Sequence, residues 1–107
     1  MDKFTVYRWE DPDRADDVTK VEIGTVLVGS DGKLVLLPVD AEDPNVGPIR
    51  KLLTAIEQKG TLPTTVEQYE RVDGIEMLVL KDAEVKPGDP AYHHAVAGLL
   101  RRAGFIV

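Results

Sequence analysis

Asp31–Pro48, DGKLVLLPVDAEDPNVGP, decides how the chain is read, because its pattern returns 42 residues later as Asp73–Pro90, DGIEMLVLKDAEVKPGDP. Asp31-Gly32 falls on Asp73-Gly74, Asp40-Ala41-Glu42 on Asp82-Ala83-Glu84, and Pro48 on Pro90. Each stretch reads as a tight turn, an apolar strand, an acidic loop and a helix start. The run Leu34–Leu37 is apolar without a break, the pattern of a strand covered on both faces, and is expected in the middle of a sheet. Met77–Leu80 carries the same expectation.

Working outward, Pro48 suits a first helical position because its missing N–H would be unpaired there anyway. Ile49, Leu52, Leu53 and Ile56 then give one apolar helical stripe, and Gly60 closes it. In the second stretch Asp89 is placed as N-cap, with Pro90 as the first helical residue. Tyr92, Val96, Leu99 and Ala103 form the stripe of a helix over Ala91–Ala103, closed by Gly104. Thr64–Val72 reads as a strand leading into the Asp73-Gly74 hairpin turn, although Thr64–Arg71 could also form a short helix. Phe105–Val107 reads as a short last strand.

From residue 33 the order is therefore strand, helix, strand, strand, helix, strand, the ferredoxin-like βαββαβ arrangement. Right-handed crossovers make 33–39 and 75–81 its parallel central pair, with both helices on one face. Two further strands precede it, Lys3–Trp9 and Val18–Val28, with Gly24 marking a bulge or bend. The expected fold class is α+β in a single domain, 1–107. Residues 1–32 supply the N-terminal strands and an acidic loop, and 33–107 the pseudo-repeat. Lys3–Trp9 resembles the opening strand of the iron–sulfur subunit of succinate dehydrogenase over those residues alone, and the chain has no cysteine to hold a cluster.

Thirteen Lys and Arg against nineteen Asp and Glu leave a net charge of −6 in 107 residues, which works against nucleic acid and anionic membranes as partners. The longest strongly apolar run, Leu34–Val39, is too short to span a bilayer, so a cytoplasmic location is expected. The lack of cysteine removes disulfides, thiolate nucleophiles and thiolate metal sites together.

If the two apolar strands are parallel neighbours, Asp40, Glu42 and Asp43 approach Asp82 and Glu84, a cluster of carboxylates of the kind a hard divalent cation needs. No Asp-x-Asp-x-Asp-Gly loop or His-Glu-x-x-His accompanies them. His93 and His94, adjacent on a helix, point about 100° apart and cannot clasp one metal as an i, i+4 pair. His93 borders the apolar stripe and could serve as a general acid or base beside Asp40 or Asp82. Ser30, the one serine, lies in a turn without an oxyanion signature, and no Gly-rich phosphate loop is present. No cofactor is expected. Tyr7 and Trp9, with the acids Asp11, Asp13, Asp16 and Asp17 of the following loop, are candidates for a recognition patch. Together these features suggest a small acidic module without enzymatic activity, one that binds a protein partner or itself through its sheet, with a dimer expected. The alternative is a small enzyme or a divalent-metal or ligand-binding domain using the carboxylates and His93.

Overall fold

A computed structural model describes residues 1–11, 13 and 19–107. Three strands, β1 (Asp2–Trp9), β2 (Lys20–Val28) and β3 (Leu34–Pro38), form one antiparallel sheet in the order β1-β2-β3. Helix α1 (Val46–Lys59) follows, then a two-stranded antiparallel ribbon, β4 (Leu62–Val72) and β5 (Ile75–Val85), and finally α2 (Tyr92–Arg102). The chain is thus α+β, with two helices and two small antiparallel sheets.

This topology corrects the ferredoxin-like expectation. The segments at 33–39 and 75–81 are not parallel neighbours: β3 is the rim of the three-stranded sheet, and β5 pairs with β4 alone. Short turns explain the outcome. β2 reaches β3 through Gly29–Lys33 and β4 reaches β5 through Asp73-Gly74, so each strand takes the partner that costs least chain to close. Instead of standing outside a sheet that begins at residue 33, the two N-terminal strands make up most of the sheet that holds β3. Thr64–Val72 is strand, not helix, while Phe105–Val107 contributes only a bridge, Ile106 to Tyr7.

Both repeated stretches run turn, strand, helix, but the acidic tripeptide falls differently in each. Asp40-Ala41-Glu42 lies in a loop, whereas Asp82-Ala83-Glu84 lies within β5. The difference traces to Pro38, which ends β3; Leu80 occupies the equivalent place in β5, and the ladder continues past it.

One face of the three-stranded sheet is packed by the helices. Val6, Ile23, Val26, Val28, Leu34 and Leu36 meet Val46, Ile49, Leu53 and Ile56 of α1 and Tyr92, Ala95, Val96 and Leu100 of α2 in a single buried cluster. The ribbon enters that cluster only at its base, through Leu62 and Val85. Gly24 sits at a bulge, where the β1–β2 register slips opposite Ile23 between Val6 and Tyr7. Helix α2 starts later than expected: Asp89 does not cap it with its side chain, which accepts from the Lys86 N–H at 2.9 Å, and Ala91 takes the cap position.

Candidate interaction surface

β4 and β5 pair over eleven residues each, from Leu62 with Val85 to Val72 with Ile75, and only the first of these pairs is fully buried. Two residues close the far end, Asp73 at φ 51° and Gly74 at φ 80°, both left-handed as a type I′ hairpin requires. Directly opposed residues share a face. One face carries Val66, Val79, Met77, Val72 and Ile75 with the Lys81–Glu70 ion pair; the other carries Tyr69, Leu78 and Leu80 with Glu67, Arg71 and Glu76. Both faces are open along the outer half. Tyr69 is 69% exposed and Leu80 70%, and Val72, Ile75, Met77 and Leu78 are also exposed. Neither long edge of the ribbon is paired with another strand among the described residues. A two-stranded ribbon without a covered face is at best marginal in water, and this one exposes apolar side chains on both faces.

The rim of the other sheet is built in the opposite way. Gly29 N–H donates to Lys33 O and Val39 N–H to Ile23 O, so odd-numbered residues face β2 and the outward N–H positions are Leu34, Leu36 and Pro38. Leu34 N–H is taken by Glu57 Oε1 of α1 at 2.6 Å, and Pro38 has none to offer. Strand addition on this side is blunted. The run Leu34–Leu37, expected to be covered on both faces, alternates: Leu34 and Leu36 are buried, while Val35 is 38% and Leu37 52% exposed on the face away from the helices.

A hollow of about 750 Å³ lies between the base of the ribbon and α2, lined by Pro63, Thr64, Thr65, Asp82, Ala83 and Glu84 on one side and by His94, Ala95, Gly98, Leu99 and Arg102 on the other. Asp82 and Glu84 are the two proposed ligands that reach it. Asp40, Glu42 and Asp43 stay in the β3–α1 loop, where Asp40 accepts from Glu42 N–H at 2.9 Å and Asp43 from Asn45 N–H at 2.8 Å. The expected convergence of the five carboxylates does not form, because their strands belong to different sheets. No group of three or more His, Asp or Glu side chains suited to a metal occurs among the described residues.

His93 points away from the hollow's carboxylates. Its Nδ1, shielded from solvent, lies 3.5 Å from Asp2 Oδ2, and its ring is tilted against that of His94 at 4.0 Å. The residue therefore meets neither Asp40 nor Asp82. Tyr7 carries Lys20 Nζ 5.1 Å from its ring centre, and Trp9 is exposed at the end of β1, so both aromatics lie outside the core. Asp11 accepts from Asp13 N–H at 3.1 Å; Asp16 and Asp17 lie outside the described residues. The exposed ribbon was the feature missed from the sequence. Its available signal was composition: β4 mixes Glu, Gln and Arg into both faces, which a buried central hairpin would not tolerate.

No described helix is long and apolar enough to cross a membrane. Compared with family models, with curated proteins and with solved structures, the chain matches none.

Proposed function

We propose that this chain is a non-enzymatic interaction module that associates with itself, with the β4–β5 ribbon as the contact element. The observation that carries this reading is the ribbon's outer half, where Tyr69, Leu78 and Leu80 on one face and Val72, Ile75 and Met77 on the other are exposed around two unpaired edges. Such an element gains by being paired, and a second subunit supplies a strand to pair with. Sedimentation equilibrium tests it: the wild type is expected to form a dimer at micromolar concentration, and Tyr69→Pro, which blocks strand addition on the β4 edge of the ribbon, to give a folded monomer. A wild type that stays monomeric up to hundreds of micromolar would remove the reading.

A second reading, ligand binding through carboxylates and a histidine, draws on the hollow, which holds Asp82, Glu84 and His94 in place of the expected His93 set. Calorimetric titration with magnesium, calcium and manganese separates the two, since the interaction module gives no heat with any of them.

A further inference from the structure

The ribbon's two edges differ in what they can pair with, and one of them is complementary to itself. Around Tyr69 the β4 sequence runs Glu67-Gln68-Tyr69-Glu70-Arg71. When two antiparallel copies of this strand meet across a twofold axis, residues pair so that their numbers sum to a constant. With the axis at Tyr69, Arg71 of each copy stands opposite Glu67 of the other, Glu70 opposite Gln68, and Val72 opposite Val66. Other positions of the axis lack this match: at Glu70 or Glu67 identical acids face each other, and at Gln68 Arg71 meets only Thr65. On β5, an axis at Val79 sets Glu76 against Asp82, one at Leu80 sets Glu76 against Glu84, and one at Leu78 brings no opposite charges together.

We propose that two copies of this chain join edge to edge through β4, with the twofold axis at Tyr69, to give a four-stranded antiparallel sheet in the order β5-β4-β4-β5. The proposal rests on the self-association reading above and adds to it an edge and a register. Backbone geometry agrees. In a two-residue hairpin the pair flanking the turn, here Val72 and Ile75, exchanges hydrogen bonds, and the alternation turns the N–H groups of Arg71, Tyr69, Glu67 and Thr65 outward. These are the groups the second β4 would meet. The side chains are also placed for it: Glu70 is already paired with Lys81 in its own ribbon, while Arg71 faces Glu76 without closing an ion pair, so Arg71 and Glu67 remain to be satisfied across the axis. The same register lays the partner copy's Asp73-Gly74 turn beside Thr65 and Thr64, at the wall of the hollow, where Arg102 offers positive charge to the incoming Asp73.

The chain contains no cysteine, which allows the register to be read by cross-linking. Tyr69→Cys places two thiols on the axis with Cα atoms about 5.5 Å apart, within disulfide range. It is expected to convert to a linked dimer under mild oxidation, whereas Leu78→Cys, on the outer strand, stays unlinked. Independently, Glu67→Arg and Arg71→Glu are each expected to weaken the dimer about tenfold or more in sedimentation equilibrium, because each change creates two like-charge contacts. The double exchange restores wild-type affinity. A dimer that persists while Tyr69→Cys fails to link and the exchange fails to rescue overturns this register and leaves self-association standing. A monomeric wild type overturns both.

Discussion

Gly24 stands where a side chain has no room. A Cβ there would collide with the Leu37 carbonyl oxygen and lie 2.9 Å from Pro38 Cα, both of them backbone that the neighbouring strand holds in place. Gly24→Ala is therefore expected to cost about 1–3 kcal/mol in urea denaturation, the usual range for an overpacked site. Gly47→Ala, in the first turn of α1 with nothing within 4 Å of the new Cβ, is expected to stabilise by up to about 1 kcal/mol. Tyr92 tests burial in another way. Its ring is buried, yet its hydroxyl is shielded from solvent without a hydrogen-bond partner. Tyr92→Phe removes an unsatisfied group at almost constant shape, so stability at neutral pH is expected to hold or rise. Burial first, and then the negative Glu57, raise this hydroxyl above its ordinary 10.0. The unfolded chain thus releases the proton at lower pH than the folded one, and the Tyr92 contribution is lost as pH climbs beyond about 10. Denaturation at pH 8 and pH 11 is expected to show a smaller decline for Tyr92→Phe than for wild type. The bulge at Gly24 and the burial of Tyr92 were legible in the sequence, because a glycine inside a strand and a helical apolar stripe each have a local cause.

Elements were legible up to the point where they choose partners. The stripe Ile49, Leu53 and Ile56 is buried, Gly60 and Gly104 close their helices at positive φ, and Asp73-Gly74 makes its hairpin. Apolar runs were misleading, because continuity in Leu34–Leu37 and Met77–Leu80 says that both faces of a strand are apolar and not what covers them. In β3 the helices cover one face; in the outer ribbon the described residues cover neither. Non-local pairing has no local signal, which is why a parallel central pair was a reasonable expectation and the two hairpins formed instead. At this scale Glu57 is the informative residue. It belongs to α1, but its carboxylate holds the Leu34 N–H of β3 at 2.6 Å, sealing a strand edge from the helix. Glu57→Ala is expected to cost about 1–3 kcal/mol, as a charge-assisted bond to a partly buried donor does, with Glu57→Gln recovering part of it. Amide exchange at Leu34 should accelerate in the alanine variant while Leu36, on the same rim, changes little.

Across the whole molecule the helix-packed sheet and the ribbon divide the work: one contains the core, the other reaches away from it. Their different surfaces predict a dependence on salt. Backbone pairing and apolar contact through the ribbon survive high ionic strength, whereas the proposed Glu67–Arg71 pairs across the twofold axis weaken, so dimer affinity is expected to fall only modestly, within about tenfold, between 0.05 and 0.5 M sodium chloride. A much steeper decline in sedimentation equilibrium would mean that charge rather than apolar cover dominates the contact. The molecule measures 56 × 38 × 19 Å along its principal axes. A particle three times longer than it is thick drags more water than a sphere of equal mass, so even a lone copy would leave a sizing column early and pass for something heavier. Two copies joined at their ribbons would be longer still, and elution volume would rank shape ahead of mass. The number of subunits is therefore to be taken from scattered light, which weighs the particle without asking how it tumbles.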